Sequence, residues 1–540
     1  MKSFRTLGVL AGSAAILLSA GCKPGLDVSN PNSPDVQRAL ASPEDVKNLA
    51  VSAVNSWYLG STDLHPYLMM SVTADAGSAN FGNFGMRFNN LEPRIAYANN
   101  SAGGDRDVAA QPWDKSYGAL GAANDALRAF AGGVVLAGGA NETEQYKQIA
   151  QFVQAAELTN LGLIFDQAFI VDEMLPVGQA PTLQPYKTVA AAAMTKWDAL
   201  IAASAGKAFV YPQAVLPLSG TTLSSSKLNR IANTMAALTL AYTPRNAAEA
   251  ATVDWAKVAA YADKGIGTGS AGAPFDFTVV GDNNTWYSYI QFYGDEPSWM
   301  RVDLRVINRM DPNTPAKFTG TIPPAGSSAD ARFASDFKYE GNVIGDPARG
   351  IYMQSPYSHK RYAFYRRTSS TSAVGPVPYI LAAESDLVRA EALIRSGGSL
   401  ATAAALINTT RVGRGNLTAA SAADGAATLL GYIDYERDIE LFATSGFTLF
   451  QRRHVDGLQA GTIHHLPIPA KELETLALPI YTFGGPGKEQ SLTGLNTGFL
   501  GSVSALQGMG TLTLELPNGT TMPLHVPAGS ARIGGAGVRQ

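Results

Sequence analysis

The densest group of side chains that could hold a solute is Trp286, Tyr287, Tyr289, Phe292, Tyr293 and Trp299, flanked by Asp282, Asn283, Asn284, Asp295 and Glu296. Flat rings cover the apolar faces of a pyranose while amides and carboxylates meet its hydroxyls, the mix of apolar area and placed polar groups that a ligand pocket needs. A second group of the same texture is Asp75, Asn80, Phe81, Asn83, Phe84 and Arg87. From the two groups, Asp75, Asn80, Phe81, Phe84, Trp286, Tyr287, Tyr289, Tyr293 and Trp299 are the candidate ligand contacts. A plainer reading stands beside each: rings under a long loop make a satellite core, and loop Asn and Asp satisfy nearby backbone groups.

Catalytic chemistry finds little support. The six histidines, His65, His359, His454, His464, His465 and His525, lack the HExxH or paired-helix spacing of a zinc site. Gly267-Thr268-Gly269-Ser270-Ala271-Gly272 fits GxGxxG, but it follows a helical stretch ending near Lys264 and precedes Pro274. A dinucleotide site needs a strand before and a helix after. Walker A and GxSxG segments are absent. No catalytic residue, metal or cofactor is assigned.

The remaining chemistry is at the single cysteine. Lys2 and Arg5 precede an apolar run from Leu7 to Leu18, and Ser19, Ala20 and Gly21 stand directly before Cys22. That order is a signal peptide's, and the run is shorter than the roughly 20 residues that span a bilayer. The small residues resemble a bacterial lipobox, with Ser19 where Leu is usual. The resemblance implies removal of residues 1–21 and acylation of Cys22, with more than one chain for stable anchoring. The alternative is an ordinary cleaved signal with a stray cysteine.

The elements that must position these residues are mostly helical. Ser42, Pro43 and Glu44 start a helix in which Val46, Leu49, Ala50, Ala53, Val54 and Trp57 form one apolar stripe. From 59 to 100 the period is lost, and a long, partly irregular excursion is expected. Pro112 suits a first helical turn, with Trp113, Tyr117, Leu120, Asn124 and Leu127 on one face. Further helices are expected over 142–165, 188–204, 227–242, 247–264, 378–395, 399–412 and 426–444, paired like helical hairpins. Between Phe275 and Ser372 the Gly, Pro, Asn and aromatic content marks an insertion holding one short helix near Trp299 to Arg309. Thr511–Leu516 and Thr520–Val526 around Asn518-Gly519 read as a β-hairpin. With 46% hydrophobic and 16% charged residues the chain is too polar for a polytopic membrane protein. Its 41 basic and 44 acidic residues show no block of one sign, which argues against nucleic acid or an anionic membrane surface as partner.

Blocks in a fixed order resemble the SusD/RagB family of outer-membrane nutrient-binding lipoproteins. They are Leu26-Asp27-Val28-Ser29-Asn30-Pro31-Asn32 behind Cys22; Pro112 to Leu127 with Trp113, Tyr117 and Ala123-Asn124; Glu384 to Leu417 with Glu391, Ala392, Asn408 and Arg411; and Glu436, Arg437, Glu440, Leu441, Gly446, Arg452 and Arg453, followed by Pro467-Ile468-Pro469. Ser445, Phe450 and His454 depart from the family's usual Glu, Asp and aromatic residue. The charges on these apolar-striped helices are read as structural ion pairs, Glu391 with Arg411 or Glu440 with Arg437, because an unpaired buried charge is costly; Glu436 and Arg453 are likewise structural rather than catalytic.

The resemblance implies a mainly α fold with tetratricopeptide-like helical hairpins and an irregular, insertion-rich ligand face: a tether at 22–41, a helical body at 42–500 with its insertion at about 275–372, and a Gly-rich tail with a hairpin at 501–540. It implies a surface-exposed, lipid-anchored protein of the outer membrane. Such a protein binds an oligosaccharide or peptide reversibly and acts as a lid that delivers it to a SusC-like TonB-dependent transporter, without catalysis. Two rivals are a surface glycoside hydrolase, which needs two carboxylates at a set separation in space, and a helical scaffold that binds only envelope proteins.

Overall fold

The structure is a computed structural model that describes residues 42–176, 179–294, 296–350, 353–366 and 373–490, with two strands at 512–515 and 521–524. The expected signal peptide, Cys22, the expected tether, Asp295 and most of the tail lie outside the described residues.

Helix α1 (Pro43–Ser61) begins where Ser42 Oγ accepts the Asp45 N–H at 3.4 Å and Pro43 occupies a first-turn position that needs no N–H. Its stripe Val46, Ala50, Ala53, Val54 and Trp57 is buried. Helix α2 (Leu64–Thr73) falls inside the excursion expected to be irregular. It is buried on nearly every side from Tyr67 to Thr73, and a helix apolar all round has no stripe to read. Helices α3 (Arg106–Ala131), α4 (Gly139–Ile164), α5 (Tyr186–Ser204), α6 (Ser225–Tyr242) and α7 (Trp255–Asp263) pack each on the next, with α1 across α3 and α4. Pro112 sits seven residues into α3 rather than in its first turn. Burial of Val108, Ala109 and Ala110 extends the helix upstream and outweighs the lost hydrogen bond.

The helix expected over 247–264 is interrupted. Only Ala247–Ala250 and α7 are helical, and Asp254 caps α7 by accepting the Lys257 N–H at 2.9 Å. Asp254→Ala is expected to lower the unfolding free energy by about 1 kcal/mol, measured by urea denaturation.

The insertion is closed at its base. Strand β2 (Phe277–Asp282) pairs antiparallel with β4 (Val374–Ile380), Phe277 opposite Ile380 and Asp282 opposite Val374. Pro378, expected to open a helix, therefore lies in a strand, and α10 starts at Ala382, whose N–H is held by Asp276 at 2.8 Å. Between the strands lie α8 (Tyr289–Gly294), β3 (Arg301–Val302) and α9 (Leu304–Met310); β3 and α9 share a core with Phe337 and Tyr357 of the insertion and with Ile439 and Phe442 outside it. The expected short helix thus begins at Leu304, not near Trp299. Helices α10 (Ala382–Arg395), α11 (Leu400–Arg411), α12 (Gly425–Glu440) and α13 (Thr448–Arg453) complete the body, α10 resting on α7. At the tail, Leu512–Glu515 pairs antiparallel with Thr521–Leu524.

The expected ion pairs form with other partners. Glu391 receives Arg437 and Arg395, both at 2.6 Å, and His454 at 3.0 Å. Glu440 receives Arg414 at 2.8 Å, Arg361 at 3.1 Å and Arg332 at 3.3 Å. Arg411 instead lies 3.9 Å from the Tyr432 ring centre and donates to the Thr418 carbonyl. Burial pushes the Glu391 carboxyl up, but Arg437 and His454 outweigh it and hold the group well below the ordinary range. The GxGxxG segment serves packing: Arg230 donates to the Gly265 and Ala273 carbonyls, and Asp386 accepts the Thr268 N–H.

Candidate functional site

The two ring-bearing stretches, more than 200 residues apart in sequence, meet through a very short ribbon. Strand β1 (Gly77–Ser78) pairs antiparallel with β3, Gly77 opposite Val302 and Ser78 opposite Arg301. A Cβ on Gly77 would meet the Met300 side chain, which would have to shift to make room. The ribbon sets Phe84, a few residues after β1, against Trp299, just before β3.

From that contact the rings run as a continuous strip. Phe84 stacks on Trp299 with centroids 5.6 Å apart and planes at 26°. Trp299 meets Tyr293 at 5.2 Å, Tyr293 meets Tyr289 at 5.6 Å, and Tyr289 meets Tyr287 at 4.9 Å. At the other end Phe84 meets His65 edge-on at 4.8 Å. Helix α8 supplies Tyr289 and Tyr293 from positions one turn apart, so both lie on one face. All these residues are half-buried, with Phe81 and Phe84 packed on a small core of Leu68, Met86 and Ile290. Phe84 also has φ +57°, a left-handed conformation unusual for an aromatic residue that holds its ring on the strip.

Three candidates lie beneath this surface. Trp286 is 6% exposed and packs at 5.5 Å from Tyr58 in the main core. Asp75 is 3% exposed, and its carboxylate takes Arg94 at 2.7 Å and Gln459 at 2.8 Å. Asn80 is 1% exposed and donates to the Asp346 carbonyl at 2.8 Å. Asp75 and Trp286 are engaged within the protein, while Asn80 spends its amide nitrogen on Asp346 and keeps a buried Oδ1 without a partner, so none of the three presents an exposed surface. Asp282 is exposed, but its carboxylate accepts the N–H groups of Asn284, Thr285 and Trp286 at 2.8 to 2.9 Å, and these donors outweigh partial burial to hold it below the usual carboxylate range. Glu296 is engaged by Arg366 and Ser298.

The sequence reading missed Asp63, His65 and Lys115. Asp63 receives Lys115 at 2.6 Å and lies 3.7 Å from His65. Burial pushes the Asp63 carboxyl up, yet His65 and Lys115 prevail and keep it below its usual value. No ring or motif in the sequence marks these residues, because a hydrogen bond from α3 and a ring contact from the excursion assemble them. Burial raises the Tyr287 and Tyr293 hydroxyls above the ordinary tyrosine value, so they remain neutral donors at physiological pH. Among the described residues no group of three His, Cys, Asp or Glu could hold a metal ion. The arrangement is a run of half-buried rings, most meeting at steep angles, that carries tyrosine hydroxyls, a composition suited to flat, hydroxyl-rich solutes.

Concave space lies elsewhere. Ser61, Ser116, Asn160, Tyr379 and Phe450 line a small internal cavity where α1 to α4 converge, and Asn100, Arg106, Asp107, Asp114 and Lys471 line a polar surface cleft of about 280 Å³.

No family model and no curated protein matches this sequence. Solved structures do match. A SusD superfamily protein from Bacteroides vulgatus superposes with a TM-score of 0.54 at 16% identity, over 81% of this chain and 97% of its own. A SusD-like carbohydrate-binding protein from Bacteroides fragilis gives 0.53 at 15%, over 84% and 91%. Surface glycan-binding protein A from Bacteroides uniformis gives 0.52 at 15%, over 80% and 98%. The fold is therefore SusD-like and mainly α-helical, as the sequence blocks implied.

Proposed function

We propose that this SusD-like chain belongs to the SusD/RagB family and binds an oligosaccharide on the strip from Tyr287 to Phe84, without transforming it. Acyl chains on Cys22 anchor it to the outer membrane, where it passes the glycan to a SusC-like TonB-dependent transporter. The observation that carries the reading is the ring strip itself, on a fold whose matched structures include proteins described as carbohydrate-binding and glycan-binding. The carboxylates nearest the strip also favour binding over hydrolysis: Asp282 is tied to backbone donors, and Asp63 and Glu296 to cations.

A ring face covering roughly 60 Å² of apolar sugar surface contributes about 1.5 kcal/mol at about 25 cal/mol per Å², close to a tenfold change in Kd. Trp299→Ala and Tyr293→Ala are each expected to weaken glycan binding by about that factor or more while leaving the far-UV circular dichroism unchanged. Calorimetric titration of the soluble chain against neutral oligosaccharides and peptides of mixed sequence checks this. Wild-type affinity in both variants would sink the strip as the site, and cleavage of a titrated glycan would favour the hydrolase reading.

A further inference from the structure

The ribbon that joins the two ring-bearing stretches carries charge at the end opposite Trp299. Asp75 stands just before β1 and Asp303 just after β3, and the Asp303 N–H donates to the Ala76 carbonyl at 2.8 Å. Both carboxylates are buried at 3% exposure. Arg305 lies between them: its Nη1 is 3.2 Å from Asp303 and 3.5 Å from Asp75, its backbone N–H donates to Asp303 at 2.8 Å, and its Nη2 reaches Glu92. Arg94 and Gln459 hold Asp75 from the other side, and Lys317 and Gln459 hold Glu92. Arg452 closes the cluster from α13 by donating to the Ala74 carbonyl and pairing with Asp438.

We infer that Arg305 is a positioning residue for the ring strip: by bridging Asp75 and Asp303 it holds β1 against β3 and so fixes the stacking of Phe84 on Trp299. This rests on the strip being the glycan site for its effect on affinity, but not for its effect on geometry. Without Arg305, Asp303 keeps no salt-bridge partner among the described residues and Asp75 loses its link to it, and so short a strand pair has few other bonds to keep its register. Burial pushes the Asp303 carboxyl up to about 7 against the pull of Arg305, and Asp75 adds to the rise.

The test is Arg305→Gln, alone and combined with Asp303→Asn, followed by crystallography and by calorimetric titration with the best neutral oligosaccharide. The single variant is expected to separate Phe84 from Trp299 and to weaken binding by about tenfold, the equivalent of one ring face. Asp303→Asn in that background is expected to restore both, because an amide at this buried position needs neither a proton nor a cationic partner; a merely stabilising role for Arg305 would give no such rescue. Rings that stay stacked in the single variant overturn the inference whatever the affinity. Rings that part while binding is unaffected uphold the role of Arg305 and refute the strip as the glycan site. Should Arg305→Gln fail to fold, Arg305→Lys keeps the charge without the planar fork and is expected to loosen the stack partially. Wild-type ring geometry in the lysine variant would then overturn the inference.

Discussion

Arg453→Met is expected to unfold the chain at physiological temperature or to lower its unfolding free energy by at least about 4 kcal/mol. The guanidinium is fully buried, and it donates to the carbonyls of Leu163 at 2.9 Å, Tyr242 at 2.8 Å, Pro244 at 3.2 Å and His464 at 2.6 Å. Leu163 and Tyr242 belong to the last turns of α4 and α6, where carbonyls have no partner within the helix and the helix dipole favours a cation. Arg245 does the same beside it, donating to Gly162, Phe165 and Thr243 and lying 4.0 Å from the Tyr186 ring centre. Carbonyl oxygens of two helix ends thus replace the carboxylate that a buried arginine ordinarily needs.

Burial together with Arg245 pushes the Arg453 pKa well down, so the pair tolerates its charge only because every guanidinium nitrogen has an acceptor. Methionine preserves much of the side chain's length and none of its donors. Four carbonyls lose their partner at about 1 to 3 kcal/mol each, against a total stability of about 5 to 15 kcal/mol. Arg453→Lys supplies one ammonium for a spread of acceptors and is expected to fall between the two. Thermal unfolding followed by circular dichroism decides the matter; a methionine variant within about 1 kcal/mol of wild type would mean that water satisfies these carbonyls.

How much of this was legible depends on range. Helices α3, α5 and α7 were readable because each buries one face and exposes the other, so the apolar period appears within a single window, whereas α4 and α6, buried on all sides over Phe152–Thr159 and Arg230–Thr239, were readable from their length. Helix α2 was not, since burial on all sides erases the period. The structural role of Arg453 was legible as a residue type, whereas its acceptors, contributed by residues from Leu163 to His464, were not. Glu391 and Glu440 show the same limit: that they would be paired followed from burial, but the choice of Arg437 over Arg411 follows from how α10 packs on α12.

The candidate site divides along similar lines. Tyr287, Tyr289, Tyr293 and Trp299 were readable as a cluster because they are neighbours in sequence, and Phe84 as a member of a second cluster. Their union through two residue pairs of β1 and β3 was not, because so short a ribbon has no alternation to detect. Asp75 and Asn80 are candidate contacts by type, yet the Asp75 carboxylate and the Asn80 amide nitrogen are spent on the protein. A composition of rings and amides identifies a region, and only placement separates the half-buried rings from Trp286, which is buried in the main core.

Glu157→Gln is expected to make the chain more stable above neutral pH and to flatten part of its pH dependence. Glu157 lies on α4 beside the internal cavity, 1% exposed, with Asn160 donating to it at 3.0 Å. Burial dominates and pushes its carboxyl up to about 8, with Asn160 and Ser116 offsetting only part. The folded chain therefore keeps this proton where the unfolded chain, with a carboxyl near 4.5, has released it. Below about 4.5 both states are protonated and the group is neutral in its effect; from there to about 8 each pH unit removes about 1.4 kcal/mol of stability, and beyond that the loss is complete.

Glutamine matches the neutral acid in shape and cannot ionise, so the variant should resemble wild type at pH 4.5 and exceed it by a few kcal/mol at pH 9. Glu384 and Asp166, both raised to about 7 by burial, titrate in the same direction and leave a residual slope in the variant. The observable is the difference between the two chains in urea denaturation across that range. Parallel curves would mean that Glu157 is ionised in the folded state, and that the cavity beside it holds enough water to solvate a carboxylate that the fold otherwise keeps protonated.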